Sequence, residues 1–279
     1  MKLCRYGLEG EERPGLIDEL GDIRDLGTIV DDIDGDWLAG DGVTQLGAID
    51  VTSLQRIGPS TRLAPPIGKI GKIVCAGMNY IDHCEEAGFP VPEQPALFMK
   101  ATSALCGAND NIVIPTGARQ VDWEVELAAV IGRRGKNISG KDALNYVAGY
   151  TILNDVSDRD FQFNRGGQWF KGKSADTFCP IGPWLVTADE ISDPQKLNMY
   201  LDVNENRMQL GNTSKMVFSV AELIVHISEF MTLMPGDIVS TGTPPGVGMG
   251  QKPEPRYLNR GDILSLGIDG LGHMRQQVI

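Results

Sequence analysis

The run Asp122-Trp123-Glu124-Val125-Glu126-Leu127-Ala128-Ala129-Val130-Ile131 constrains the fold more than any other stretch of the chain. Its β-branched and apolar residues, stopped by Gly132, predict a strand. Alternate residues of a strand face opposite sides, so Glu124 and Glu126 project together while Val125 and Leu127 project the other way. Two carboxylates on one face repel unless water or a cation attends them. An edge strand with a solvated acidic face is one reading; a cation site is the other. Asp155 favours the second. It ends Val147-Ala148-Gly149-Tyr150-Thr151-Ile152-Leu153-Asn154, a run so continuously apolar that it predicts a strand buried on both faces. A carboxylate at the end of a buried strand needs a partner. Glu124, Glu126 and Asp155, with no His or Cys among them, suit a hard cation, Mg²⁺ or Mn²⁺ before Ca²⁺, and argue against structural zinc.

A chain of 279 residues can form one large domain, or a small one beside a larger one. Its 34 Gly and 16 Pro are scattered, which fits a loop-rich protein with much β structure. The formal net charge is −12 and the longest basic cluster is Arg133-Arg134, so the phosphates of a nucleic acid would be repelled. Five dispersed cysteines without a CxxC pair read as reduced, buried thiols of a cytoplasmic protein. The first residues lack the apolar core of an export signal, and no stretch approaches the ~18 apolar residues of a membrane span.

Residues 1–68 are acidic, Gly-rich and poor in aromatics, and predict a small N-terminal β-rich domain: a strand at 2–8, a hairpin across 15–26 and a weak helix near 42–54. Thr61-Arg62-Leu63-Ala64-Pro65-Pro66 reads as the linker to a larger domain at 69–279. There, an apolar strand at 70–76 runs into a short helix, with Asn79 as its N-cap and Gly88 just past its end. The i, i+3 spacing brings His83 and Glu86 within reach of each other, as a solvated pair or as a dyad, while Cys84 and Ala87 face the core. Ser139 to Asp142 reads as a capping-box start of a helix joining the two acid-bearing strands. Ser157 is expected to cap a helix over 158–164 on which Arg159 and Gln162 are neighbours. Residues 165–174 form a Gly- and Lys-containing loop. The clearest helix spans 219–233, opened by a Ser219–Glu222 capping box, with His226 on its solvated face. The Gly-rich run 241–250 has no Gly-Lys-Ser/Thr ending and no following helix, so it predicts a loop over a pocket and not a phosphate cradle.

Five stretches in order, Gly77-Met-Asn-Tyr-Ile-Asp-His83-x-x-Glu86, Trp123-Glu124-x-Glu126, Asn154-Asp155-x-x-x-Arg159-x-x-Gln162, Lys171-Gly-Lys173-Ser-x-Asp-Thr-Phe and Ser240-Thr-Gly-Thr243-Pro-Pro-Gly-Val-Gly, resemble the fumarylacetoacetate hydrolase superfamily over residues 70–279. The resemblance implies a mostly β, α+β chain whose catalytic domain is a mixed β-sandwich roll, usually a homodimer. It implies Mg²⁺ or Mn²⁺ on Glu124, Glu126 and Asp155, and a small-molecule 2-oxo or 2,4-dioxo acid as substrate. It also implies that His83, oriented by Glu86, activates water, and that Lys173 stabilises an oxyanion. Arg159, Gln162, Thr243 and Tyr80 would then meet substrate. Residues 165–173 look like the bacterial branch acting on 2,4-dioxo-3-deoxy-L-fuconate or L-rhamnonate, with Gln168 and Arg165 meeting a substrate hydroxyl and pyruvate and lactate as products. An oxaloacetate decarboxylase or ureidoglycolate-type lyase on the same metal site is the alternative, because a His-x-x-Glu dyad favours hydrolysis without excluding decarboxylation. A non-catalytic, metal-stabilised binding domain would leave the dyad and Lys173 unexplained.

Overall fold

The computed structural model describes residues 1–58 and 60–279. Its spine is the strand Val125–Ile131, buried along its whole length. On one side it pairs antiparallel with Val147–Asn154 (Val125 opposite Asn154, Glu126 opposite Leu153), and on the other with Ile238–Ser240. The ladder continues through Ile73–Gly77, parallel to Ile238–Ser240, to Ala96–Lys100. In the opposite direction it runs through Cys179–Thr187 to Lys2–Tyr6, Arg13–Ile17, Ile23–Asp25 and Arg56–Ile57, so the sheet is mixed and 12-stranded. A four-stranded antiparallel sheet (residues 198–212 and 263–277) packs against it, and Leu201, Leu264, Leu266 and Met274 share one core with Leu127, Ile152 and Trp123. The architecture is the mostly β roll expected. No helix is long and apolar enough to cross a membrane among the described residues.

The large sheet runs across the expected boundary near residue 68. Leu3 lies opposite Leu185 in the ladder, and Leu3, Leu16 and Leu26 pack with Val130 and Leu185. A lone hairpin is marginally stable in water, and docking on a neighbouring strand supplies the apolar surface it lacks.

Local signals place most helices and misplace some caps. Val220–Phe230 has the predicted capping box and buries Val220, Leu223, Ile224 and Ile227. Asn79 does not cap the helix Ile81–Ala87; its side chain donates to the carbonyls of Phe218 and Thr241 and accepts from the Phe218 N–H. Asp158, not Ser157, caps Arg159–Phe163 by accepting from the Phe161 N–H. The predicted capping box at Ser139 gives only a single 3₁₀ turn, Ala143–Tyr146. At Asn79 long-range contacts outbid the local preference, and at Ser157 the hydroxyl turns back to the Asp155 carbonyl at 2.8 Å instead.

Candidate active site

Strand alternation puts Glu124 and Glu126 on one side, and burial decides between the two readings of that face. Glu124 is 6% exposed, Glu126 2% and Asp155 0%, so the acidic face is not solvated. The ends of the two strands are tied: Asp155 N–H donates to the Glu124 carbonyl at 2.8 Å, and Glu124 N–H to the Asn154 side chain at 3.2 Å. One carboxylate oxygen from each acid lies within 4.8 Å of the others.

Cations surround this trio. Lys173 Nζ donates to Glu124 at 2.8 Å and to Asp155 at 2.6 Å. Arg159 reaches Glu124 at 2.6 Å, Asp122 at 2.8 Å and the Gln162 side-chain oxygen at 3.0 Å. Lys100, fully buried at the end of its strand, donates to Asp155 and to the Val156 carbonyl. Glu126 alone has only neutral donors, the Ser240 hydroxyl and the Gly242 N–H. The consequences for protonation are opposite. Burial opposes charge on Glu124, but Lys173 and Arg159 outweigh it and bring the carboxyl down to about 2. At Glu126, burial and then the charges of Asp155 and Glu124 push the carboxyl well above its ordinary range. Three hard oxygen donors with uncompensated repulsion at one of them fit a divalent cation such as Mg²⁺ or Mn²⁺.

The helix Ile81–Ala87 carries the second constellation. His83 Nδ1 lies 3.1 Å from one Glu86 oxygen, and the other accepts from the Gly246 N–H at 2.9 Å. Donation of Nδ1–H to this carboxylate leaves Nε2 as the basic nitrogen. Gly246 is required by its backbone (φ +104°) and by space, since a Cβ there would lie 1.9 Å from the Met208 carbonyl oxygen. Two further N–H groups of the same loop, at Gly248 and Met249, hold Asp122, which holds Arg159. The Gly-rich loop thus fastens both constellations at once.

Between them lies a cavity of about 270 Å³. His83, Glu124, Glu126, Arg159, Gln162, Lys173 and Thr243 all line it, and Asp155 sits behind Lys173. Ala87, expected in the core, lines it too. The Thr243 hydroxyl donates to the Val125 carbonyl and accepts from Gln209, so its backbone N–H, which has no partner among the described residues, is the group left for a ligand. Two expected residues lie elsewhere. Tyr80 is fully buried, its hydroxyl on the Met199 sulfur at 3.1 Å, and Gln168 is exposed on its loop. Trp169 takes the place foreseen for Gln168 in the wall. Lys100, Asp122 and the aromatic trio Phe98, Phe163 and Trp169 escaped the sequence reading. Lys100 had a usable signal, since it ends an apolar strand just as Asp155 does. The aromatics had none, because their convergence joins three separate elements.

Residues 72–279 match the model of the fumarylacetoacetate hydrolase C-terminal family. The chain belongs to that family. A protein of Burkholderia ambifaria, provisionally designated a hydrolase, is 53% identical over 276 residues, covering 99% of this chain and 98% of its own. Among solved structures, a fumarylacetoacetate hydrolase from Exiguobacterium antarcticum superposes with TM-score 0.86 at 36% identity, covering 100% of this chain and 99% of its own. A maleylpyruvate hydrolase from Sphingobium sp. SYK-6, solved with manganese(II) and pyruvate, gives 0.84 at 32%, with coverage of 100% and 99%.

Proposed function

We propose that the protein is a divalent-cation-dependent hydrolase that cleaves the C3–C4 bond of a 2,4-dioxo acid and releases pyruvate. The observation that carries this reading is His83, paired with Glu86, on the wall of a cavity that Glu124 and Glu126 also line, with Asp155 directly behind Lys173. Glu124, Glu126 and Asp155 would hold Mg²⁺ or Mn²⁺, which supplies Lewis acidity toward the 2-oxo acid end of the substrate. His83 Nε2 takes a proton from water as its oxygen adds to C4, and Glu86 holds the imidazolium that results. The C3–C4 bond then breaks with its electron pair going to C3, and His83 returns the proton there. Two of the three Lys173 N–H donors are engaged by Glu124 and Asp155, and the third is free to meet developing negative charge. Arg159 and the Thr243 N–H supply donors for the substrate carboxylate.

The solved relative that holds manganese and pyruvate supports this reading. Nothing comparable supports the deoxy sugar acids, since Gln168 and Arg165, expected to meet a substrate hydroxyl, are both exposed. The reading therefore stops at a 2,4-dioxo acid. The homodimer is carried with it, and light scattering on the purified protein tests it.

The decisive assay incubates the protein with Mg²⁺ or Mn²⁺ and acetylpyruvate, with coupled detection of pyruvate. Release should require the metal and fall by ~10²–10⁴-fold in His83→Ala. Pyruvate release from oxaloacetate that persists in His83→Ala, with no cleavage of any 2,4-dioxo acid by the wild type, replaces hydrolase by decarboxylase.

A further inference from the structure

We propose that the cavity beyond Lys173 selects an uncharged, largely apolar acyl group and rejects one ending in a second carboxylate, with Trp169 as the residue that sets this preference. The proposal rests on the 2,4-dioxo acid reading and names the half of the substrate which that reading leaves open.

The wall changes character in a few ångströms. Lys173 Nζ stands 5.0 Å over the Phe98 ring. Phe98 meets Trp169 at 5.4 Å between centroids, and Trp169 meets Phe163 edge-on at 6.0 Å. The indole packs directly on backbone, because a Cβ on Gly77 would lie 2.4 Å from its ring. Phe89 and Pro92 complete this end. Rings fixed against one another and against a glycine form a preorganised apolar surface.

No free cation lines that surface among the described residues. The cavity's two permanent cations are already committed: Arg159 to Asp122 and Glu124, and Lys173 to Glu124 and Asp155. On the proposed reading their remaining N–H groups serve the substrate's 2-oxo acid end and reacting carbonyl. On the neighbouring loop, Arg165 pairs with Asp160, and Lys171 donates to the Arg165 carbonyl. An adjoining outer cavity contains Lys252, but Glu86 shares its wall. A carboxylate placed among Phe98, Trp169 and Phe163 loses water and gains no partner, which is costly. An alkyl chain there loses only water it is better without. The maleyl group, whose pyruvate adduct names one solved relative, carries such a carboxylate. This chain is therefore tuned to a different acyl group.

The test uses 2-oxo acids that lack a 4-oxo group and so cannot be cleaved. Binding of 2-oxoheptanoate and 2-oxoheptanedioate to the Mn²⁺-loaded protein is measured by calorimetry. The monoacid should bind at least ~10-fold more tightly, the scale on which an apolar pocket discriminates. Trp169→Ala should bring the two affinities together, and Phe163→Ala serves if circular dichroism shows the first variant unfolded. Equal or tighter binding of the diacid, an unchanged ratio in the variant, or no binding of either acid overturns the proposal. So does diacid binding that collapses in Lys252→Met, which would place a carboxylate site in the outer cavity. The matching dioxo acids test the underlying reading separately. Selective binding without cleavage of either homologue sinks the hydrolase and leaves the selectivity standing. Cleavage of both at equal efficiency does the reverse.

Discussion

At one end of the cavity each of the three carboxylates is held by two partners. At the other, rings touch rings and several edges face solvent. Glu124 is 6% exposed and Asp155 0%, against 38% for Phe163 and 51% for Phe89. Charges buried without compensation would unfold the chain, so the first end must be fixed by lysines, an arginine and backbone N–H groups whose positions depend on one another. That same fixity is what electrostatic catalysis requires. Exposed rings carry no such obligation, so the aromatic end can change its residues at small cost in stability. On the proposed reading, the chemistry resides in the constrained end and the choice of substrate in the permissive one.

Several changes would break this contrast or sharpen it. The largest expected effect is at the dyad: His83→Ala should lower pyruvate release by ~10²–10⁴-fold, the usual contribution of a general base. The rise in Tm on adding Mn²⁺ should persist, and loss of both would mean that His83 supports the fold and not the chemistry. Next is Lys100→Met, which frees one Asp155 oxygen from its ammonium. It should weaken Mn²⁺ binding by roughly 10–100-fold, as removal of a ligand's outer partner generally does. Unchanged affinity by electron paramagnetic resonance titration would show Asp155 to be placed without Lys100, by its backbone and Lys173. Trp169→Ala should raise KM for an alkyl acylpyruvate by about 10-fold with kcat less affected, because the acyl group is bound alike in ground and transition states.

The smallest effect separates the two ends by sign. Glu126 is pushed above its ordinary value of 4.5 by burial and by its neighbours. Below that value the folded and unfolded chains are both protonated there, and stability is intact. As pH rises above it, the metal-free fold is penalised because it resists ionisation that the unfolded chain accepts. Glu126→Gln should therefore raise the metal-free Tm at pH 7 by about 2 °C while abolishing the further rise on adding Mn²⁺. A lower Tm would show the carboxylate to be worth more to the fold than its repulsion costs. Phe163→Ala, at the permissive end, should change Tm little with or without metal.

The strands, the capping box at Ser219 and the pairing of Glu124 with Glu126 were all legible, because each depends on spacing within one element. Whether the acidic face met water was not, since that depends on elements far along the chain that cover it, such as the strand Ile238–Ser240. Asn79 misled for the same reason, since a side chain that can cap a helix can also bond a distant carbonyl, whereas Ser157 turned to the nearby Asp155 carbonyl. Residues 1–68 looked separable by composition, and it took the structure to show their first strand lying inside the large sheet, between Cys179–Thr187 and Arg13–Ile17.

The family resemblance suggested roles for Lys173 and Arg159; what the sequence determined alone was a set of candidate capacities, three carboxylates suited to a hard cation and a histidine with an acid within reach. Periodicity and spacing carry that information because backbone geometry converts them directly into shared faces. What only the tertiary structure decided was their mutual arrangement. It set Lys100 and Lys173 on Asp155, moved Tyr80 into the core and Gln168 to the surface, and put Trp169 into the wall. Those placements are fixed by packing between elements distant in sequence, where a side chain goes to the space and the partners that remain.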